Sequence, residues 1–216
     1  MASFPAYYKL AWHVIDLMLV AFLLLFLAAA ARTIWLRFRP SAAAHLAPKQ
    51  SPRKSSAADA LLLLGVAMAW YNVSSGWIAQ LTIYPIYGDI NAYGSQAFHG
   101  FSHGYLSRIP ISIVLPAGVM CLAWALLLWL PCRNVPTRIV WSIIALCVAF
   151  VAVTFIAAGT QGQMYHEGFS NYLYARLLWS NGVRAIIFTL IGLLSLAAVR
   201  RRWTFNGSES LGRESP

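Results

Sequence analysis

Four of the five histidines, His13, His99, His103 and His166, fall at the same end of a series of apolar segments, and one arginine, Arg184, lies inside the last of them. Imidazoles at neutral pH serve as proton donors and acceptors or as metal ligands. A guanidinium in apolar surroundings holds an anion or a carbonyl oxygen. His99 and His103 are four residues apart, so on a helix they share a face, and that spacing suits a metal ion. His166, beside Glu167, could supply a third or fourth ligand. Gly100 and Gly104 weaken the helical premise, and hydrogen bonding at a membrane surface is the plainer use of the same side chains. A metal ion or a haem is the cofactor that His99, His103 and His166 would hold.

Arg184 precedes Arg200 by sixteen residues, about 24 Å along a helix. In a hydrocarbon core about 30 Å thick that places it roughly a turn below one surface. Asp16 precedes Arg32 by the same interval on a helix running the same way, which puts the two charges at equal depth. An ionisable group there should face the bundle interior and have a partner, and no other acid lies at that depth. The alternative is that Arg184 snorkels to the surface. Asn181, three residues before Arg184, shares its face. Gln80, with Trp77 and Tyr84, sits near the same end of the second apolar run, while Asn72, Ser74 and Ser75 read as packing contacts between helices. The sequon Asn72-Val73-Ser74 lies inside a helix and carries no meaning.

The elements that must position these residues are set by composition. Of 216 residues 60% are hydrophobic and 10% charged, against about 25% charged in soluble domains. Apolar runs predict membrane-spanning helices near 10–31, 57–84, 109–130, 137–158 and 172–199, the second stopped by Pro85. The fold class is therefore all-α and polytopic: a four-helix core over 59–200, one additional N-terminal helix in 1–36, a basic linker at 37–58 and a tail at 201–216. The first run is too long for a signal peptide, and its positive flank follows it instead of preceding it, so it reads as an uncut anchor. Residues 86–108 and 159–171 are expected as loops at the histidine end. Phe98, Phe101 and Tyr105 in the first of these recur at helical spacing, as in a helix lying flat in the membrane interface. The short connection PCRNVPTR makes the third and fourth helices antiparallel neighbours.

Position, not total, gives meaning to the net charge of +10. Twelve of the sixteen basic residues, among them Arg32, Arg133, Arg138 and Arg200 to Arg202, follow the first and last runs or join the third to the fourth. Basic residues stay in the cytoplasm. The chain is thus expected in a bacterial inner membrane, N-terminus outside and C-terminus inside, its basic face against anionic lipid heads. Nucleic acid is excluded as a partner. Cys121, Cys132 and Cys147 form no CxxC pair and no disulfide framework, and read as packing residues.

From Trp77 onward, over about 115 residues, the sequence resembles uncharacterised bacterial multi-pass proteins and, more distantly, the anthrone-oxygenase-like (DUF1772) membrane proteins. The resemblance rests on Tyr84-Pro85, on Phe98 to His103, on Arg108-Ile109 to Pro116, and on RLLWSNGVRAIIF from Arg176 to Phe188. Phe188 departs from the family's usual tryptophan. The resemblance implies a four-helix core with a polar site on His103, His166, Asn181 and Arg184. One reading of these residues is an oxidative membrane enzyme in which His103, His166 and Arg184 are catalytic and Asn181, Gln80 and Arg108 bind substrate. The competing reading is a non-catalytic accessory subunit of a larger membrane complex, docked through its aromatic loops. No helix broken in mid-membrane and no inverted repeat points to a transporter.

Overall fold

The structure, a computed structural model, describes residues 6–38 and 52–211. Helix α1 spans Ala6–Phe38 and α2 spans Pro52–Ile78. A π-helical turn, Ala79–Ile83, carries α2 into α3, Tyr84–Asn91. Helix α4 is Ser95–Leu106, and a second π-helical turn, Pro110–Val114, leads into α5, Leu115–Leu126. Helices α6, Thr137–Glu167, and α7, Asn171–Leu211, complete the chain. Among the described residues five helical stretches are long and apolar enough to cross a membrane. The protein is an all-α polytopic membrane protein. Lipid offers the backbone no hydrogen-bond partners, so each span must satisfy its own.

Helix α7 packs along both α6 and α2, α2 packs on α5, and α1 lies against α5 and the π turn before it. Close approach depends on small residues, as lipid-embedded interfaces require. A Cβ on Gly65 would stand 3.0 Å from the indole nitrogen of the fully buried Trp124. One on Gly76 would stand 3.2 Å from Phe188, whose ring lies 4.7 Å from that of Phe150.

The helices are longer than the apolar runs. The stretch Ser56–Asn91 has 36 residues, about 54 Å of helix, against a hydrocarbon core of about 30 Å. Pro85 does not stop it, contrary to expectation. A proline ring collides with the carbonyl four residues back, and the wider π turn just before Tyr84-Pro85 makes room for it, the Tyr84 N–H reaching back to Ala79 O. The same device precedes Leu115-Pro116, where the Leu115 N–H bonds Pro110 O. The Ser112 carbonyl, four residues before Pro116, accepts the Tyr71 hydroxyl at 2.8 Å instead.

Residues 86–108 form a helical hairpin, α3 and α4, turning at Gly94 with φ of 94°. Phe98, Phe101 and Tyr105 pack around Tyr87, with ring centroids 5.8, 5.0 and 5.8 Å from it. Helix α6 continues through Glu167, so His166 sits in a last helical turn and not in a loop. At the other end α2 already begins at Pro52 and α7 runs to Leu211. Most of the expected linker, 39–51, lies outside the described residues.

Candidate functional site

Arg184 sits thirteen residues into α7 and its side chain leans toward that helix's N-terminus, as helical Cβ vectors dictate. There it meets a chain of polar groups from three helices. Its Nη2 donates to Asn181 Oδ1 at 2.7 Å and to Tyr84 Oη at 3.1 Å. Asn181 Nδ2 donates to Gln80 Oε1 at 2.9 Å and to the Gly76 carbonyl at 3.4 Å. Gln161 Nε2, from α6, also donates to Tyr84 Oη, at 3.1 Å. The π turn contributes directly. One extra residue rotates the helix beyond it by about 100°, and it is within and just after this turn that Gln80 and Tyr84 both face α7. Arg184 is 9% exposed and its Nε has no hydrogen-bond partner.

Arg184 also lines a cavity of about 370 Å³ between α1, α5 and α6, within the range of about 300–1,000 Å³ typical of small-molecule sites. Helix α1 supplies Trp12, Asp16 and Phe22, and α6 supplies Phe150, Gln161, Tyr165 and His166. Trp12 Nε1 is a second buried donor without a partner.

The histidines gather around Tyr165 without closing on one point. The His99, His103 and His166 rings lie 6.1, 6.4 and 5.3 Å from its ring, and His103 Nδ1 stands 3.4 Å from its hydroxyl. His103 and His166 are therefore no farther apart than the sum of their two distances to Tyr165. His166 lines the cavity; His99 and His103 do not. Among the described residues no three His, Cys, Asp or Glu side chains come together as a metal would need, so His99, His103 and His166 do not form a ligand set in this arrangement.

Other expected residues stand elsewhere. Arg108 is exposed, donates to the Gly104 carbonyl at 3.3 Å and does not line the cavity. Asp16 shares the cavity wall with Arg184, but the partners of Arg184 are Tyr84 and Asn181, and among the described residues no ion pair joins it to Asp16. Gln161 and Trp12 carry no distinguishing mark in the sequence. The polar stretch GTQGQ makes 161 read as loop, and a tryptophan near a membrane surface is ordinary.

A second polar cluster, also unforeseen, lies at the basic end. Arg202 of α7 grips Asp59 of α2 through Nε–Oδ1 at 2.7 Å and Nη2–Oδ2 at 2.8 Å, the two-pronged geometry that makes such pairs strong. Cys132, in the α5–α6 connection, donates to the Ala58 carbonyl at 3.1 Å. Burial, then the neighbouring Asp59 charge, pushes its thiol up to about 11. The signal in the sequence is that Asp59 is the one acid near the start of α2, at the same end as the basic run Arg200 to Arg202 of α7.

No protein-family model, no curated protein and no solved structure matches the chain.

Proposed function

We propose that the protein is a membrane enzyme acting on a lipid-dissolved molecule held by a carboxylate or carbonyl oxygen at Arg184. One observation carries this reading. The guanidinium on the cavity wall is buried, has no carboxylate partner among the described residues and leaves Nε unbonded. The hydrogen-bond chain from Gln80 to Gln161 would by itself tie α2, α6 and α7 together. A buried cation bonded only to neutral groups, with no ion pair to Asp16 on the same wall among the described residues, goes beyond such tying, because it is costly in low-dielectric surroundings. An anionic or strongly dipolar ligand oxygen offsets that cost.

Proton donors and acceptors stand on the same wall. Tyr165 and His166 line the cavity and His103 contacts the Tyr165 hydroxyl, an arrangement suited to acid–base catalysis. The pocket's own chemistry supports binding and proton transfer. The basic end, with Arg32, Arg133, Arg138 and Arg200 to Arg202, is the cytoplasmic face against anionic lipid. The cavity then belongs to the outer half of a bacterial inner membrane.

The test compares organic extracts of wild-type and Arg184→Gln protein purified in parallel, by mass spectrometry. An acidic or carbonyl-bearing compound should accompany the wild type and fall about tenfold in the variant, the loss expected for about 1.4 kcal/mol of binding. Identical extracts would overturn the assignment.

A further inference from the structure

The cavity is elongated. Its walls run from Tyr8 to Phe22 on α1 and from Phe150 to His166 on α6, stretches of roughly 20 Å at about 1.5 Å per residue. A volume of about 370 Å³ drawn out over that length has the shape an extended hydrocarbon chain would fill.

Polarity is graded along the slot. Toward the histidine end stand Arg184 and Gln161, with Trp12 and Asp16 on α1, and Arg184 Nε and Trp12 Nε1 are donors without a partner. Toward the basic end the walls become Phe22, Cys121, Phe150 and Val151. Thr154 in that stretch donates its hydroxyl to its own helix, at the Phe150 carbonyl. The slot also has a side opening. Helix α1 packs on α5 and not along α6, and Phe155, which lines the slot, is 64% exposed on the lipid-facing surface.

We infer that the slot binds a single-tailed carboxylate amphiphile of the long-chain fatty-acid type, admitted from the bilayer between α1 and α6. The carboxylate sits on Arg184 and the tail lies along Phe150 and Phe22 toward the basic end. This rests on the reading of Arg184 as the ligand anchor and adds the ligand's class, its orientation and its route. A carboxylate brings two acceptor oxygens and a negative charge to two unpartnered donors and to a guanidinium hydrogen-bonded only to neutral groups, while Asp16, exposed on the same wall, makes no ion pair with it among the described residues.

Gly162 provides a test that spares the fold. It lines the slot, and a Cβ built on it meets nothing within 4 Å, so Gly162→Phe, or the smaller Gly162→Leu, extends into open space. Full-length protein in phosphatidylcholine nanodiscs is titrated with radiolabelled palmitate, with hexadecanol and hexanoate as comparison probes, and folding is followed by thermal melting. Palmitate should bind. Gly162→Phe or Gly162→Leu, with an unchanged melting midpoint, and Arg184→Gln should each weaken it about tenfold or more, and hexadecanol and hexanoate should bind at least that much less well. Folded wild type that ignores palmitate would overturn the inference. Hexanoate binding as tightly as palmitate, or palmitate binding undiminished in both folded Gly162 variants, would overturn it while leaving Arg184 as an anchor. Palmitate binding blocked by Gly162→Phe but untouched by Arg184→Gln would remove the anchor itself.

Discussion

Tyr84 is the residue through which α6 and α7 communicate. Its oxygen accepts from both Arg184 Nη2 and Gln161 Nε2, and its side chain is 1% exposed. Tyr84→Phe keeps the ring contacts with Tyr87 and Tyr105 but strands two buried donors. A stranded buried donor costs about 1–3 kcal/mol, so the variant should melt clearly below wild type and lose affinity at the Arg184 site. Thermal unfolding in nanodiscs measures the first effect. An unchanged midpoint would mean that the two donors find another acceptor and that Tyr84 is not the joint. At the opposite end the Asp59–Arg202 pair joins the start of α2 to the end of α7, and Cys132 bonds the α5–α6 connection to the Ala58 carbonyl beside it.

At the scale of elements the two π turns account for most of what is unusual. Each lies immediately before an X-Pro step, Tyr84-Pro85 and Leu115-Pro116, and each lets a helix continue where proline would break it. The Tyr71 hydroxyl on the Ser112 carbonyl substitutes for the N–H that Pro116 lacks. Tyr71→Phe should therefore cost about 0.5–1.5 kcal/mol in the wild type and close to nothing in a Pro116→Ala background, where an amide N–H returns to that carbonyl. A double-mutant cycle on thermal stability measures the coupling. Equal costs in both backgrounds would show that Pro116 does not leave the carbonyl in need of Tyr71.

The whole molecule is polarised, with aromatic and histidine-bearing hairpins at one end and arginines at the other. On the proposed orientation, Tyr93→Cys, at the exposed α3–α4 turn, reacts with a membrane-impermeant maleimide on intact cells. Thr137→Cys, exposed at the start of α6, reacts only after permeabilisation. The native thiols are buried, and burial with the neighbouring Asp59 charge pushes that of Cys132 up, which disfavours the thiolate that maleimide requires. The opposite labelling pattern would invert the protein and move the cavity to the cytoplasmic half.

The number of spans and the all-α class are legible in the sequence alone, because a lipid solvent demands long apolar runs and a self-satisfied backbone. Asn181 and Arg184 are on one face for an equally local reason, their spacing of three on a continuous helix. Azimuth is what the sequence leaves open. These helices are apolar on nearly every side, so periodicity does not tell which side faces a neighbour. Asp16 and Arg184 are matched in depth and yet are not paired, since depth is one coordinate of three. Pro85 and GTQGQ read as ends of helices because propensity is local, whereas the π turn and the contacts across α2, α6 and α7 that sustain those helices are tertiary. The Gln80–Asn181–Arg184–Tyr84–Gln161 chain, and the slot beside it, exist only once α1, α2, α3, α5, α6 and α7 are packed, because every junction but Asn181–Arg184 joins different elements whose rotation is fixed by close packing.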